Sequence, residues 1–198
     1  MEFIAASNNE GKLKELARIL TAMGHTVKSQ KEIGITIEPI ENGATFEENA
    51  LIKARTICAE CHLPTIADDS GLVVDALQGE PGIYSARYCG HHGDDEANND
   101  KLLYNMQNVP CDKRTARFVS VIAVVLPNGE YITATGVCEG SVGYERRGTN
   151  GFGYDPIFNI AEYDNRSYSQ LTNSEKDKIS HRGKALANLA KMLPQFIK

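Results

Sequence analysis

Residues 117–143 read RFVSVIAVVLPNGEYITATGVCEGSVG, and they contain the strongest β signal in the chain. Two runs rich in β-branched residues flank the dipeptide Asn128-Gly129, which is typical of a tight hairpin turn. This segment therefore predicts an antiparallel hairpin of two strands, and any fold of this chain has to accommodate it.

Helical spacing of apolar residues marks both ends of the chain. A short buried-strand candidate, EFIAA at residues 2–6, leads into a polar turn and then into a helix that Gly24 closes. A second helix is predicted over about 46–60 and a weaker one over 94–107. The last helix carries apolar residues at helical spacing, namely Leu186, Leu189, Ala190, Leu193 and Ile197.

The capping box formed by Thr45 and Glu48 marks the start of the second helix. The stretch PTIADDSG, which follows this helix, is predicted to be a short strand that ends at Asp68 and Asp69. The strand–helix–strand order near the N-terminus favours parallel pairing, whereas the hairpin is antiparallel. The fold class is therefore predicted to be α/β, with a mixed central sheet and flanking helices.

The chain has 198 residues and no composition break that would mark a linker, so a single domain spanning 1–198 is predicted. A net charge of −5 argues against a broad nucleic-acid-binding face. No run approaches the length of a membrane span, and the first residues lack the pattern of a secretory signal. We therefore expect a cytoplasmic protein without nucleic-acid or membrane partners.

The five cysteines are an odd number at scattered positions, which suits reduced thiols better than a disulfide framework. Cys58, Cys61 and His62 fit the C-x-x-C-H pattern of haem attachment, but that chemistry goes with export. A redox dithiol and ordinary thiols near a helix end are the other interpretations, and the last is favoured.

Residues 7–12, SNNEGK, lie between a strand and the start of a helix, where free N–H groups and the helix dipole favour an anion. The segment lacks the P-loop pattern. Helix capping by Ser7, Asn8 or Asn9, with Lys12 in solvent, is the competing interpretation.

Carboxylates cluster around the second helix and after it. Glu41, Glu47 and Glu48 flank the helix start, where acidic side chains usually cap or complement the dipole. Asp68 and Asp69 follow, and an Asx turn into Gly71 would account for them as well. Carboxylate oxygens from separate segments are also what Mg²⁺ takes, together with phosphates and water.

Three further segments are candidates for ligand binding. The glycine-rich stretch GTNGFGYDPIF, residues 148–158, could approach a ligand closely and stack an aromatic ring on a base, or it could be a tight connecting loop. Ser180-His181-Arg182, which is predicted to precede the last helix, offers donors that suit a keto group on a purine, or it is a solvated helix start. For His91-His92 with the acidic residues 94–96, a solvated loop and helix start is favoured over a metal site.

Taken together, these segments resemble the inosine triphosphate pyrophosphatase family, which is also called the Ham1 family. The resemblance covers almost the whole chain and is carried, in order, by SNNEGKLKEL, TFEENALIKA, ADDSGLVVDALQGEPGIYSARY, GFGYDPIF and EKDKISHRGKAL. It implies an ITPase-like fold with two lobes around a cleft, usually as a homodimer. It also implies Mg²⁺-dependent hydrolysis of the α,β phosphoanhydride of the purine nucleoside triphosphates ITP, dITP and XTP.

The resemblance also implies roles for individual residues. Glu41 and Asp69 would hold Mg²⁺, and Asp69 would be the catalytic base that activates water, with Asp68 as an outer partner. The triphosphate would be bound by Ser7, Asn8, Asn9, Glu10, Gly11 and Lys12, with Lys53 as a weaker candidate. The remaining substrate-binding positions are Ser70, Phe152, Gly153, Tyr154, Asp155, Lys176, His181 and Arg182, of which Phe152 would stack on the base.

One departure from the family pattern is Asn150, where the loop usually has a second glycine. Because Asn tolerates positive φ better than most residues, the loop is expected to keep its shape. Two other functions compete with the implied one. They are a phosphatase with Asp68 or Asp69 as covalent nucleophile, and a nucleotide-binding module without turnover.

Overall fold

The computed structural model describes residues 1–197, and strands of both orientations form its centre. The strands are β1 (Glu2–Ala5), β2 (Thr26–Ser29), β3 (Thr65–Val74), β4 (Thr115–Val125), β5 (Tyr131–Val142), β6 (Phe158–Ile160) and β7 (Arg166–Ser167). They form one seven-stranded sheet in the order β2-β1-β3-β4-β5-β6-β7. Strand β1 pairs in parallel with β2 and β3, whereas β6 is antiparallel to β5 and β7. The predicted mixed α/β class is confirmed.

Within residues 1–197, five α-helices lie between or after the strands in chain order. They are α1 (Glu10–Ala22), α2 (Phe46–Cys61), α3 (Asp95–Asn105), α4 (Asn173–Ile179) and α5 (His181–Phe196). Short 3₁₀ turns cover Asp75–Leu77, Gly82–Arg87, Cys111–Lys113, Asp155–Ile157, Ala161–Tyr163 and Tyr168–Gln170. Among residues 1–197, no helix is long and apolar enough to cross a membrane.

The hairpin has the predicted form. Strands β4 and β5 are neighbours in the sheet, and the turn at Asn128-Gly129 is closed by the Leu126 amide, which donates to the Glu130 carbonyl at 2.9 Å.

The start of α2 agrees with the predicted capping box in part. Thr45 accepts a hydrogen bond from the Glu48 amide at 3.1 Å, although the Glu48 carboxylate binds the amide of Ala44 instead of closing the box.

Two boundaries differ from the predictions. Strand β3 does not end at the aspartates but continues to Val74. It continues because the side chains of Leu72 and Val74 are both fully buried in the apolar core. The last helix begins at His181, so His181 and Arg182 belong to its first turn rather than preceding it. Both aspartates therefore lie inside a strand, which excludes the Asx-turn interpretation.

The chain forms two compact units, and a single domain over 1–198 stays a prediction. The first unit comprises residues 1–69, 120–136 and the segment from Arg182 onward; the second comprises 70–119 and 137–181. In the first unit, Phe3 and Ile4 are adjacent in β1 but pack into different apolar clusters, because side chains alternate along a strand. The second unit has its own core, which includes Leu72, Leu102, Phe118, Ile157, Phe158 and Tyr168.

Candidate active site

Asp68 is a buried carboxylate whose two oxygens are fully engaged. Its Oδ1 accepts from Ser120 Oγ at 2.5 Å, and its Oδ2 lies 3.0 Å from both Arg182 Nη2 and Lys12 Nζ. Burial alone would raise the pKa of Asp68, but the charges of Arg182 and Lys12 hold it well below the usual range. Asp68 is therefore a permanent anion.

Arg182 is buried and contributes to two ion pairs in the first unit. Its Nη1 binds Glu15 and its Nη2 binds Asp68. The two carboxylates raise the pKa of Arg182 further, against the opposing effect of burial. The guanidinium links the start of α5 to α1 and β3.

Asp69 points away from Asp68 and has a separate set of partners. Its Oδ1 accepts from Lys53 Nζ at 2.7 Å, and the same ammonium lies 3.3 Å from Glu41 Oε1. The two neighbours alternate as strand geometry requires. The two carboxylates therefore have different hydrogen-bond partners, and their separate roles stay a prediction.

The Asp69 carboxyl differs from that of Asp68 in its pKa and in its hydrogen bonding. Burial raises the pKa of Asp69, and the charges of Lys53 and Lys12 offset only part of that effect. Its Oδ2 is buried and has no hydrogen-bond partner among residues 1–197. An unpaired buried acceptor costs free energy, so this oxygen is available for a proton or a cation.

The carboxylates of Asp69 and Glu41 fit a small hard cation that also binds phosphate. Both contact one ammonium, so both lie within reach of a single ion, and Glu41 is partly exposed. Within residues 1–197, no three His, Cys, Asp or Glu side chains group as a ready-made metal site. Two carboxylates completed by phosphates and water are a common Mg²⁺ arrangement, whereas a dedicated protein cage is not.

The segment from Ser7 to Lys12 caps α1, and its last residue forms an ion pair with Asp68. Asn9 is the cap residue, since its side chain accepts from the Lys12 amide at 2.9 Å, and Ser7 Oγ accepts from the Asn9 amide at 3.2 Å. Asn8 and Glu10 are exposed, and Gly11 is partly exposed. The capping interpretation is confirmed, but Lys12 is not simply in solvent because its ammonium pairs with Asp68.

In the second unit, the glycine-rich loop is organised around a buried ion pair. Lys176 Nζ donates to Asp155 Oδ2 at 2.7 Å, and that oxygen also accepts from the Phe152 amide at 2.9 Å. The Lys176 ammonium lies 5.2 Å from the centre of the Phe152 ring, which is partly exposed. Tyr154 is buried and donates to the Ser85 carbonyl at 2.9 Å.

Two residues in this loop show how closely its backbone is packed. Gly151 has φ +85°, and a Cβ there would lie 2.0 Å from Asp155 Oδ2, so no other residue fits. Asn150 does not have a positive φ, so the tolerance expected of it is not needed. Its side chain instead donates to the Leu171 carbonyl at 3.3 Å, which ties the loop to the segment before α4.

His181 and Arg182 are adjacent but have different surroundings. The His181 ring stacks on Phe118 at 4.6 Å with an interplanar angle of 12°, and the centre of the Tyr168 ring lies 5.7 Å from that of Phe118 and 6.4 Å from that of His181. Ser70 is partly buried in β3. Sequence reasoning grouped His181 with Arg182, whereas the structure gives Arg182 carboxylate partners.

Two residues of the Asp68 network were missed by sequence reasoning. Glu15 is three residues after Lys12 in α1, a spacing that places both on one helix face, and this was a readable signal. Ser120 is a polar residue within the apolar run of β4 that follows Arg117, which is a weaker signal. The cysteines are free thiols, with Cys58 buried and Cys61 at the last residue of α2.

Solved structures place this architecture in a known class. A Ham1 protein from Staphylococcus aureus superimposes with a TM-score of 0.86 at 40% identity, covering 98% of this chain and 99% of that one. At this identity and coverage, the two proteins share the complete α/β fold. The predicted ITPase-like fold class is confirmed.

Sequence comparisons agree with the structural one. The model of the Ham1 family matches residues 3–192. A dITP/XTP pyrophosphatase from Bacillus subtilis strain 168 is 48% identical over 192 residues, covering 97% of this chain and 96% of that protein. Another from Bacillus cereus is 44% identical over 197 residues, covering 98% and 96%. The chain belongs to the Ham1 family.

The contrast between the aspartates predicts a difference in stability. Asp68→Asn should lower the free energy of unfolding at pH 7 by about 3 kcal/mol, because it leaves Arg182 and Lys12 facing a neutral group. Asp69→Asn should lower it less, because the Lys53 ammonium keeps Glu41 as a carboxylate partner and burial already raises the pKa of Asp69. Urea unfolding followed by circular dichroism measures both variants.

The pH dependence follows from the depressed pKa of Asp68. A carboxyl with a folded pKa below its unfolded value of about 3.9 stabilises the protein above that pH and loses this contribution as the pH falls further. The gap between wild type and Asp68→Asn should therefore narrow below about pH 4. Equal losses for the two variants at pH 7, or a constant gap with pH, would contradict this assignment.

Proposed function

We propose that the protein hydrolyses the α,β phosphoanhydride of ITP, dITP and XTP to the nucleoside monophosphate and pyrophosphate. Such an activity removes deaminated purines from the nucleotide pool. The observation that carries the proposal is the buried Asp69 carboxyl, which has one oxygen on Lys53 and the other without a partner among residues 1–197. The names of the dITP/XTP pyrophosphatases similar to this chain support the substrate class.

Mg²⁺ is the cofactor that this site suits best. Glu41 and Asp69 would hold it, since both offer carboxylate oxygens near one cationic group. When bound, Mg²⁺ neutralises phosphate charge and lowers the pKa of a coordinated water. Lys53 contacts both carboxylates and keeps them directed at the same point.

Asp69 is proposed as the general base. Its raised pKa makes the carboxylate a better proton acceptor than an ordinary aspartate, and Oδ2 is the oxygen not engaged by Lys53. In the proposed step, water loses a proton to Asp69 while its oxygen attacks the α-phosphorus. The bond to the bridging oxygen breaks, and pyrophosphate leaves.

The first unit is proposed to bind the triphosphate. The segment from Ser7 to Lys12 precedes a helix of 13 residues, whose N-terminal dipole favours anions. Lys12 and Lys53 add positive charge to the same unit. Their present partners, Asp68 and Asp69, keep both ammonium groups in place before a substrate arrives.

The second unit is proposed to bind the purine. Phe152 has a partly exposed ring for stacking, and Lys176 and His181 lie in the same unit. Gly153, Tyr154, Asp155 and Ser70 would complete the loop and strand around it. Donors that face a keto group leave the amino group of adenine mismatched, which discriminates strongly in a buried site.

The substrate proposal is tested by product analysis. Purified protein with Mg²⁺ should convert ITP, XTP and dITP to monophosphate and pyrophosphate, with much slower turnover of ATP, whose amino group is mismatched. Chromatographic separation of the products measures this. Release of diphosphate with inorganic phosphate would instead indicate a phosphatase, and equal turnover of ATP would remove the specificity.

The role of Asp69 is tested by Asp69→Asn. Because the amide cannot accept the proton, turnover of ITP should fall by roughly 100-fold or more, the contribution typical of a general base. Steady-state kinetics at pH 7 measures it, with circular dichroism to show that the variant is folded. Near-normal turnover would exclude Asp69 as the base.

The family resemblance also supports a homodimer in the cytoplasm, with the purine nucleoside triphosphate as the other partner. Sedimentation equilibrium at micromolar concentration should then give twice the mass of 21.7 kDa. A concentration-independent mass of one chain would contradict the dimer.

A further inference from the structure

The loop that carries Phe152 is held through its peptide groups by three side chains. The Phe152 amide donates to Asp155 Oδ2 at 2.9 Å, and the Gly153 amide donates to Asp95 Oδ2 at 2.7 Å. Asn99 Nδ2 donates to the Gly153 carbonyl at 2.9 Å. The peptide groups on both sides of the Phe152 side chain are therefore fixed.

Asp95 and Asn99 provide their two bonds from one face of α3. They are four residues apart, so they lie one above the other on the helix. Asn99 Nδ2 also donates to the Asp95 carbonyl at 2.8 Å, which fixes its orientation. Asn99 is 1% exposed, so this orientation is set inside the protein.

Neither side chain is explained by helix formation. Asp94, not Asp95, caps α3, because its side chain accepts from the Ala97 amide at 3.0 Å. Asn99 uses only its donor end, since its buried Oδ1 has no hydrogen-bond partner among residues 1–197. An unpaired acceptor costs free energy, and an apolar side chain here would avoid that cost. The bonds to Gly153 are the property that both residues share.

Gly153 shows what these bonds control. Its φ of +62° is in the left-handed region, yet a Cβ there would meet no atom within 4 Å. The backbone conformation, and not the space, is what requires glycine at this position. A glycine is free to leave that conformation, so bonds to both its amide and its carbonyl are needed to hold it.

We propose that Asp95 and Asn99 are positioning residues for the purine half of the site. Asp95 holds the peptide group before Gly153 and Asn99 holds the one after it. The Phe152 ring is thereby oriented before the base binds, which reduces the ordering cost of binding. This inference rests on the proposed function, in which Phe152 stacks on the purine. The acidic segment 94–96, which the sequence indicated to be a solvated helix start, thus includes a residue that supports the loop.

The test compares two neighbouring asparagines of α3. Asn99→Ala should raise the KM for ITP about tenfold with kcat unchanged, the change expected when a hydrogen bond of about 1.4 kcal/mol that serves binding is lost. Asn98→Ala is the matched control, because Asn98 is 2% exposed but binds the Cys89 amide at 2.7 Å and not the loop. It should leave KM unchanged even if it costs similar stability.

Asp95 provides a second, more exposed position. Asp95→Ala should raise KM as Asn99→Ala does, and Asp95→Asn should restore most of the affinity because its amide oxygen can still accept from Gly153. If Asn99→Ala does not fold, the KM values of Asp95→Ala and Asp95→Asn test the positioning role instead. A KM within twofold of wild type for a folded Asp95→Ala would overturn the proposal.

Direct binding separates this inference from the proposed function. By calorimetry, Asn99→Ala and Asp95→Ala should weaken IMP about tenfold while leaving inorganic tripolyphosphate unchanged, since only the base half is affected. Loss of both ligands together, or an equal effect of Asn98→Ala, would overturn the positioning role. Absence of ITP turnover by the wild type would overturn the proposed function. IMP binding would then decide the positioning role by itself. If the wild type did not bind IMP either, the positioning role would also be overturned.

Discussion

The ion pair between Arg182 and Asp68 is the interaction on which the site depends. Two adjacent carboxylates in a buried strand would repel each other and would each lose hydration. The charge of Arg182, together with Lys12 and the Ser120 hydroxyl, satisfies Asp68 completely. Because Asp68 has its own cationic partners, the direct ion pair of Asp69 is with Lys53. Asp69 keeps a raised pKa and an oxygen without a partner among residues 1–197, and those are the properties of a base.

The charged groups of the first unit come from rigid elements, not from mobile loops. Helix α1 provides Lys12, α2 provides Lys53, and the first turn of α5 provides Arg182, while β3 carries both aspartates. Side chains on helices and strands are held more accurately than those on loops, and catalysis is sensitive to displacements of about 1 Å. Glu41 is the exception, since it lies outside any helix or strand and only one ion pair, to Lys53, is seen for it.

Among the helices and strands, the long ones could be read from the sequence, whereas the short ones, apart from β1, could not. The hairpin and α1, α2 and α5 have strong periodicity or turn signals. Strands β2, β6 and β7 and helix α4 have 4, 3, 2 and 7 residues, too few for a period to emerge. Similarly, the family resemblance pointed to Asp69 and Lys12, but not to the partners of Arg182. Glu15 is 167 positions away from Arg182, and no local pattern reports a contact across such a separation.

The contact between Gly151 and Asp155 has a consequence for how this loop can evolve. Because Asp155 occupies the space of a side chain at position 151, the two positions cannot change independently. Loss of Asp155 would also release the Phe152 amide and leave the Lys176 ammonium without that carboxylate. A new substrate preference is therefore reached more easily through other positions than through Gly151 or Asp155, because a change at either one requires a change at the other.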